Sequence, residues 1–287
     1  MGIQNVGVVG CGLMGSGIAE ACARAGLDVR VVDLDQATLE RGRERVAASI
    51  ARARLGGKLS EAEAESALDH IEFSADIGSL ADRQLVIEAV VESESEKLAV
   101  FQSLDKIVED PVAILASNTS SIPIMKLAMA TSRPSQVIGI HFFNPVPVLP
   151  LVELVTSLLT SDETAATAER FATDQLEKQV IRSQDRAGFI VNALLIPYLL
   201  SAIRMLESGF ATADDIDLGM VKGCAHPMGP LALADLIGLD TTMAVANSLY
   251  EEFKEPLYAP PPLLARMVEA GLLGRKSGRG FYDYKAA

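Results

Sequence analysis

Residues 3–26, IQNVGVVGCGLMGSGIAEACARAG, contain the pattern that decides the fold. The segment begins as a short apolar strand, passes through a glycine-rich turn and continues as a helix of small residues. Gly10, Gly12 and Gly15 match G-x-G-x-x-G, in which the glycines allow a tight turn, a close approach of phosphates to the backbone, and close packing of the helix on the strand. Because a glycine-rich turn is often only a turn, the neighbouring sequence has to decide its meaning.

The next apolar segment supplies that context. Residues 28–33, DVRVVD, predict a second strand that ends in Asp33. A carboxylate at this place accepts hydrogen bonds from a ribose 2′-hydroxyl and repels a 2′-phosphate, so the pattern favours NAD over NADP. The amides at the helix N-terminus would then meet the phosphates. We therefore predict an NAD site that includes Gly10, Gly12, Leu13, Met14, Gly15 and Asp33.

Short strands and helical patterns alternate along the residues that follow. Helices are predicted over 36–55, over 61–69 behind the capping box Ser60-x-x-Glu63, and over 94–109. Strands are predicted over 71–73, 85–92, 113–118, 137–143, 151–155 and 179–183. This alternation is typical of an α/β fold with a doubly wound, mostly parallel sheet of the Rossmann type.

One predicted strand pair carries a histidine and a glutamate. In residues 139–155, GIHFFNPVPVLPLVELV, the proline-rich centre predicts a tight connection, and a hairpin centred on residue 147 places His141 opposite Glu153. Such a carboxylate would fix the imidazole tautomer and stabilise the imidazolium that forms when the ring takes a proton. The same pair could simply belong to the core. We expect this hairpin at the far edge of the sheet, with its second strand antiparallel.

The strand patterns end near residue 184, and helical patterns fill the rest of the chain. They cover residues 188–207, a segment opened by Thr212-x-x-Asp215, residues 231–252 as one helix or two, and residues 262–270. We predict two domains, residues 1–184 with the sheet and residues 185–287 with helices. Because these helices are apolar over wide arcs, we expect an all-α dimerisation domain; packing of the arcs on the first domain is the alternative.

Composition narrows the classes of function. The net charge of −13 argues against nucleic acid as the main partner. The three cysteines, Cys11, Cys22 and Cys224, have no metal-ligand or C-x-x-C spacing, and nothing at the N-terminus is typical of a signal peptide. The apolar segment 188–203 is shorter than the roughly 20 residues that a bilayer span needs. We expect a cytoplasmic protein with neither a metal site nor a membrane partner.

A basic segment interrupts this acidic chain. Residues 41–58 contain a single acid, Glu44, beside the basic residues Arg41, Arg43, Arg45, Arg52, Arg54 and Lys58. The segment could be the solvated face of a helix, or it could bind phosphates other than those of the dinucleotide. A phosphorylated handle on the substrate would suit the second interpretation.

Six motifs together resemble one enzyme family. They are GVVGCGLMGSGIA, ASNTSSIPI, GIHFFNPVPVLPLVELV, GFIVNALLIPYLLSAI, HPMGPLALADLIGLDTT and GRKSGRGFYDY. In order and spacing they resemble the L-3-hydroxyacyl-CoA dehydrogenase family, and within it the short bacterial 3-hydroxybutyryl-CoA dehydrogenases. The resemblance covers essentially the whole chain. It implies reversible hydride transfer between NAD and C3 of a 3-hydroxyacyl thioester, as in the β-oxidation of fatty acids, by a homodimer formed through the helical domain.

The resemblance also implies roles for individual residues. His141 would be the acid–base residue and Glu153 the carboxylate that orients it. Ser120 would bridge the substrate oxygen and the nicotinamide region, and Asn192 would hold the substrate. Cofactor contacts are implied for Asp33, Glu92, Lys97, Ser120, Asn144 and Lys276. Lys97 would also reach CoA, for which Arg52 and Arg54 are further candidates.

Several alternatives remain open. Ser120 could cap the helix that follows it, and Asn144 before proline could be a turn residue. Family members usually carry proline where this chain has Ala187, so we expect a less stiff linker. The chain could also be a dehydrogenase of an acyl-carrier-protein thioester or a free hydroxy acid, or a non-catalytic NAD-binding protein. The basic segment favours a CoA or phosphopantetheine carrier, and the four catalytic positions favour an enzyme.

Overall fold

A computed structural model describes residues 2–284 of the chain. Two compact units divide it, Met1–Arg186 and Ala187–Ala287. The first is a Rossmann-like α/β domain built on a mostly parallel sheet, and the second is helical. The predicted fold class is therefore confirmed.

The glycine turn joins β1 (Asn5–Val9) to α1 (Leu13–Arg24). Gly10 has a φ of +99°, and a Cβ atom there would lie 2.6 Å from a backbone carbonyl oxygen. A Cβ atom at Gly15 would lie 1.9 Å from the carbonyl oxygen of Gly10. Any side chain at these two positions would clash with the backbone, so the turn requires glycine. A Cβ atom at Gly12 would meet nothing within 4 Å, so open space lies beside the helix N-terminus.

Eight strands form one sheet in the order β3-β2-β1-β4-β5-β6-β7-β8. The strands after β1 are β2 (Asp28–Val32), β3 (Ile71–Ser74), β4 (Leu85–Glu88), β5 (Ile114–Ser117), β6 (Val137–Phe142), β7 (Leu151–Thr156) and β8 (Gln179–Gln184). Neighbouring strands pair in parallel, except β6 and β7, which are antiparallel. The central strands are buried throughout, as expected for a sheet covered by helices.

Besides α1, five α-helices among the described residues of the first unit connect these strands: α2 (Gln36–Leu55), α3 (Glu61–Asp69), α4 (Glu94–Ile107), α5 (Ile124–Ala128) and α6 (Asp162–Arg170). Helix α2 begins after Asp35, whose carboxylate accepts the N–H groups of Ala37 and Thr38. Helix α3 begins after Ser60, which forms the predicted capping box with Glu63. Both helices have the bounds that the sequence predicts, because a side chain fixes each N-terminus.

The hairpin of β6 and β7 does not form the edge of the sheet, and that expectation is wrong. Strand β8 lies beyond β7 and pairs with it in parallel. A parallel neighbour needs a crossover connection, and α6, which the sequence patterns did not reveal, supplies it. The predicted strand over 85–92 is also shorter, since β4 ends at Glu88 and the chain turns there.

The second unit contains α7 (Val191–Glu207), α8 (Ala213–Gly223), α9 (Pro230–Ile237), α10 (Leu239–Phe253) and α11 (Pro262–Glu269). Helix α7 begins later than predicted, because Gly188 and Phe189 have φ values of +75° and +49°, which a right-handed helix does not allow. The pattern over 231–252 forms two helices, α9 and α10. No helix within residues 2–284 is long and apolar enough to cross a membrane.

Two buried aspartates of the second unit hold its C-terminal segment. Asp235 on α9 accepts the N–H groups of Phe281 and Tyr282, each at 3.0 Å. Asp217 on α8 accepts the hydroxyl of Tyr282 at 3.0 Å and also the N–H group of Leu231 at 2.8 Å, at the start of α9. These bonds fix the segment that contains the GRKSGRGFYDY motif.

Candidate active site

His141 and Glu153 are paired across β6 and β7. They are direct partners in the antiparallel register, and Nδ1 of His141 lies 2.7 Å from Oε2 of Glu153. The side chain of Glu153 is fully buried, and that of His141 is 8% exposed. The pairing that the hairpin predicts is confirmed. A carboxylate beside Nδ1 favours the tautomer with hydrogen on that atom, so Nε2 is the ring atom that can accept a further proton.

Neighbouring residues fix the strand that carries His141. The ring of Phe143 packs against the imidazole, with a distance of 4.6 Å between ring centroids and an angle of 59° between planes. The N–H group of Phe142 donates to Oδ1 of Asn118 at 2.9 Å. Because Asn118 directly follows β5, its side chain ties the carboxyl end of β5 to β6 beside His141.

Ser120 lies in the loop that follows β5. Its N–H group donates to Oε1 of Glu92 at 3.0 Å. Ser121 donates to the same oxygen through its N–H group at 3.0 Å and its hydroxyl at 2.8 Å, and the hydroxyl of Thr119 also donates to it. Helix α5 begins only at Ile124, so Ser120 does not cap it and the capping alternative is wrong. One carboxylate therefore shapes the loop.

Lys97 is enclosed between two carboxylates. Its Nζ atom lies 2.6 Å from Oε1 of Glu88 and 3.2 Å from Oε2 of Glu92, and its side chain is 1% exposed. Burial raises the pKa of Glu92, but the charge of Lys97 and the hydroxyls of Thr119 and Ser121 outweigh it, so this pKa lies below its usual value. The resemblance implies that Lys97 reaches CoA. The structure instead holds its ammonium group inside the protein.

Asp33 faces the glycine turn from the end of β2. Its Oδ2 atom accepts the N–H group of Cys11 at 2.9 Å. Arg45 of α2 approaches the same turn and donates to the carbonyl oxygen of Cys11 at 3.1 Å and to the hydroxyl of Ser16 at 3.0 Å. The turn is thus held by an acid and a base from two different elements.

Three apolar side chains near this turn are exposed. Leu13 opens α1 and is 57% exposed, Leu34 follows Asp33 and is 84% exposed, and Val91 lies beyond β4 and is 70% exposed. Each of the three offers apolar surface to a ligand that binds beside the open space at Gly12. Val91 was not among the residues predicted from the sequence.

Asn144 is exposed in the turn between β6 and β7, and its peptide bond to Pro145 is cis. Lys178 anchors this turn, since its Nζ atom donates to the carbonyl oxygens of Val146 and Leu149, each at 2.7 Å. The turn that carries Asn144 is therefore attached to the residue just before β8.

The basic segment is used in more than one way. Arg43 lies over the ring of Phe73, with its Cζ atom 4.6 Å from the ring centroid. Arg52 and Arg54 are exposed near the end of α2, and Arg54 pairs with Glu61 at 3.0 Å. Two of the segment's arginines, Arg43 and Arg45, thus stabilise the fold, and Arg52 and Arg54 remain accessible to a ligand.

The second unit carries the remaining predicted residues. Asn192 lies half-buried in the first turn of α7. Lys276 donates to Oδ2 of Asp240 at 2.6 Å. The N–H group of Ala187 donates to Oε2 of Glu252 at 2.9 Å. A proline at that position could not make this bond because it has no N–H group.

Most predicted residues of the first unit meet at one edge of the sheet. Asp33, Glu92, Ser120 and Asn144 follow β2, β4, β5 and β6, and the carboxyl ends of parallel strands share one edge. The prediction missed Glu88, which ends β4 and binds Lys97. Its signal was a charged residue within the apolar run LVIEAVV, the same kind of signal that drew attention to Glu153.

Comparison with protein families covers almost the whole chain. Residues 5–186 match the model of the 3-hydroxyacyl-CoA dehydrogenase NAD binding domain. Residues 188–284 match the model of the 3-hydroxyacyl-CoA dehydrogenase C-terminal domain.

Individual relatives are similar over their full length. A 3-hydroxybutyryl-CoA dehydrogenase of Mycobacterium tuberculosis is 61% identical over 98% of this chain and 99% of its own. The mitochondrial hydroxyacyl-coenzyme A dehydrogenase of Sus scrofa is 39% identical over 99% of this chain and 92% of its own. The crystal structure of (S)-3-hydroxybutyryl-CoA dehydrogenase from Ralstonia eutropha has a TM-score of 0.93 and 48% identity, covering 99% of both chains.

Proposed function

The chain belongs to the 3-hydroxyacyl-CoA dehydrogenase family, and from this premise we propose that it is an NAD-dependent oxidoreductase that interconverts (S)-3-hydroxybutyryl-CoA and acetoacetyl-CoA. The observation that carries the proposal is the buried pair of His141 and Glu153, with 2.7 Å between ring nitrogen and carboxylate oxygen. His141 lies near the carboxyl end of β6, at the edge of the sheet where the proposed dinucleotide contacts lie. An acid–base residue and a site for a hydride carrier are the two components that the reaction needs.

The residues of the first unit fit NAD. The glycine turn leaves open space beside Gly12, where backbone amides of α1 can meet the pyrophosphate. Asp33 is placed to accept ribose hydroxyls, and the exposed Leu34 and Val91 offer apolar surface. Glu92, Ser120 and Asn144, with Lys276 of the second unit, complete the proposed contacts. When bound, NAD⁺ accepts the hydride that leaves C3 of the substrate.

His141 carries the proton in this proposal. In the oxidative direction Nε2 takes the proton of the 3-hydroxyl group, and the ring becomes an imidazolium. Glu153 holds Nδ1–H and stabilises that charge through a hydrogen bond inside the protein, where an ionic hydrogen bond is strong. Ser120 and Asn192 bind the 3-oxygen and the thioester and so orient C3. In the reductive direction the imidazolium returns the proton to the 3-oxygen.

Arg52 and Arg54 are the proposed sites for the phosphates of CoA. Both are exposed on a helix that also contacts the glycine turn. A guanidinium group binds phosphate oxygens in a fork geometry. Lys97 is not one of the proposed CoA contacts because its ammonium group is buried.

We also propose a cytoplasmic homodimer that acts in fatty-acid metabolism. The second unit exposes large apolar side chains, with Leu194 at 74%, Phe210 at 80% and Leu218 at 57%. Apolar groups of this size on a domain surface favour association with another copy. The free thiols of Cys11, Cys22 and Cys224 suit a reducing compartment.

Initial rates of NADH oxidation test the proposed function. We expect efficient reduction of acetoacetyl-CoA and a lower kcat/KM with longer 3-ketoacyl-CoAs and with free acetoacetate. A preference for free acetoacetate or for an acyl-carrier-protein thioester would replace the proposed substrate. Absence of NADH oxidation with each of these substrates would contradict the proposed reaction.

A further inference from the structure

A carboxylate without an assigned role lies at the carboxyl end of β4. Glu88 is 0% exposed, and each of its oxygens has a defined partner. Oε1 accepts Nζ of Lys97 at 2.6 Å and the N–H group of Val90 at 2.7 Å, and Oε2 accepts the hydroxyl of Ser117 at 2.6 Å. A buried charge is costly unless it is paired and fully hydrogen-bonded, and Glu88 meets both conditions.

Glu88 is bound to the end of the neighbouring strand β5. Ser117 is the last residue of β5, and its hydroxyl accepts the N–H group of Thr119 at 3.1 Å. The backbone N–H group of Asn118 donates to the carbonyl oxygen of Glu88 at 2.9 Å. Glu88 therefore fixes the place where the chain leaves β5 for the loop that carries Ser120.

Lys97 extends the cluster from Glu88 to Glu92. It is the cation that both carboxylates share, at 2.6 Å and 3.2 Å. Glu92 in turn accepts the N–H groups of Ser120 and Ser121 through one oxygen. A continuous chain of contacts thus runs from a fully buried carboxylate through a buried ammonium group to the backbone of Ser120.

We propose that Glu88 is a positioning residue of the reaction: through Lys97 it holds the carboxylate of Glu92, and thereby the Ser120 loop, in the geometry that catalysis needs. The inference rests on the proposed function in that Ser120 contacts the substrate. A pair that served stability alone could be replaced by apolar residues of similar volume without loss. A positioning role explains why the charges of Glu88 and Lys97 are buried next to the Ser120 loop.

Two substitutions test the role of the charges. Glu88→Gln keeps the shape and most of the hydrogen bonds but leaves Lys97 paired with Glu92 alone. Lys97→Met keeps the volume and leaves two carboxylates without their cation. The matched control is Lys126→Met, which removes an exposed lysine that pairs with Glu94 at 2.6 Å. We expect kcat for acetoacetyl-CoA reduction to fall about 10–10²-fold in the first two variants, because small displacements of reacting groups have effects of that size. KM values and the control should change little.

The pH profile of reduction separates positioning from general damage. In the wild type the reductive rate should show no acidic limb from Glu92, because the charge of Lys97 holds the pKa of Glu92 below its usual value. In Lys97→Met, Glu92 loses its cation and keeps its proton to higher pH, so its oxygen no longer accepts the full set of loop donors. This variant should therefore gain an acidic limb that the wild type and Glu88→Gln lack. A uniformly lowered profile of unchanged shape would overturn the role of the charge chain.

The double variant tests whether Glu88 and Lys97 act through each other. Removing both members of a buried pair is milder than removing one, so Glu88→Gln/Lys97→Met should lose less kcat than the product of the two single losses. Independent, multiplicative losses would show that Glu88 does not act through Lys97.

Amide hydrogen exchange provides a readout that does not depend on activity. Exchange at Ser120 and Ser121 should be at least about tenfold faster in Glu88→Gln and Lys97→Met, because the loop opens more readily, and unchanged in Lys126→Met. If the wild type fails to oxidise NADH, the proposed function is refuted. Hydrogen exchange at Ser120 and Ser121 then still shows whether Glu88 holds the loop. Wild-type exchange, or wild-type kcat in an active enzyme, in folded Glu88→Gln would overturn the positioning role.

Discussion

Nδ1 of His141 lies 2.7 Å from Oε2 of Glu153, and both side chains are at most 8% exposed. The imidazole therefore meets its carboxylate where little water competes for the hydrogen bond. In such surroundings a hydrogen bond between the two side chains is stronger than it would be in water. Because Glu153 occupies Nδ1, Nε2 of His141 is the nitrogen that exchanges a proton with the substrate in the proposed reaction.

Substitutions of this pair should change the rate and its pH dependence. His141→Ala should lower kcat by about 10²–10⁴-fold, the usual size of an acid–base contribution. Glu153→Gln keeps the shape but removes the charge, so it should lower kcat and move the acidic limb of the oxidative rate to lower pH. The measurement is a pH–rate profile of hydroxybutyryl-CoA oxidation. His70→Ala, a histidine at the end of α3, is the matched control. Wild-type kcat and an unmoved acidic limb in Glu153→Gln would reduce Glu153 to a structural residue.

Asp33 should determine the choice between NADH and NADPH. Its carboxylate lies beside the glycine turn, 2.9 Å from the N–H group of Cys11, and would repel a 2′-phosphate. The wild type should strongly prefer NADH, and Asp33→Ala should narrow the ratio of the two kcat/KM values. Asp69→Ala, which removes an exposed acid on α3, should leave the ratio unchanged. Equal kcat/KM values of the wild type with NADH and NADPH would contradict this role of Asp33.

Arg52 and Arg54 should contribute to binding the thioester handle. The double variant Arg52→Ala/Arg54→Ala should raise KM for acetoacetyl-CoA and leave kcat and KM for NADH nearly unchanged, because these contacts would be equally strong in the ground and transition states. Added salt should reduce the difference from the wild type, since exposed charges are screened. Arg170→Ala on α6 is the control. An unchanged KM for acetoacetyl-CoA would show that Arg52 and Arg54 belong to a solvated helix face and do not bind the substrate.

Two glutamates should affect stability with opposite dependence on pH. Glu20 is 2% exposed, and its burial raises its pKa although Ser49 and Arg24 partly offset the effect. Between the unfolded pKa of about 4.3 and the raised folded pKa, the folded state binds more protons than the unfolded state, so the stability conferred by Glu20 is lost as pH rises through its folded pKa. The stability of Glu20→Gln relative to the wild type should therefore increase with pH.

Glu63 is the matched comparison for Glu20. The backbone N–H group and the hydroxyl of Ser60 lower the pKa of Glu63, so its contribution is present above the unfolded pKa and is lost as pH falls through the folded pKa. The stability of Glu63→Gln relative to the wild type should therefore decrease as pH rises. Thermal unfolding midpoints from about pH 3, which lies below the unfolded pKa of a glutamate, to about pH 8 measure both differences. If the difference in unfolding midpoint from the wild type changes with pH in the same direction for both variants, the opposite pKa shifts of Glu20 and Glu63 are contradicted.

Sequence patterns predicted those parts of the fold that depend on neighbours in the chain. Helix α2 has the predicted bounds because Asp35 caps its N-terminus, and the partner of His141 follows from the register of a single hairpin. The helical pattern predicts that α7 begins at Gly188, three residues before its observed start, because the residue type of Phe189 gives no sign of its positive φ. The prediction of the hairpin at the sheet edge is wrong because α6 carries the chain across to β8, which pairs with β7.

The parts of the candidate site that the sequence did not predict depend on contacts across strands. Ser117 is 29 residues from Glu88 in the chain and meets it only because β4 and β5 are neighbours in the sheet, whereas Lys97 reaches Glu88 from α4. The sequence could indicate that an acid in an apolar strand needs a partner, but not which one. In the same way Lys97 has a side chain long enough to reach the surface, and only the two carboxylates show why it stays inside.

The hydrogen bond from Ala187 to Glu252 bears on consensus engineering, in which a residue that is common among relatives replaces an uncommon one. Installing proline at position 187 would restrict the unfolded chain and stabilise the protein by about 0.4–1 kcal/mol. It would also remove the N–H group that donates to Glu252 at 2.9 Å, at a loss of about 0.5–1.5 kcal/mol. The two contributions cancel within their range, so the substitution would bring no net gain unless position 252 were redesigned with it. The side chain of Glu252 already restrains the backbone at position 187 through this hydrogen bond.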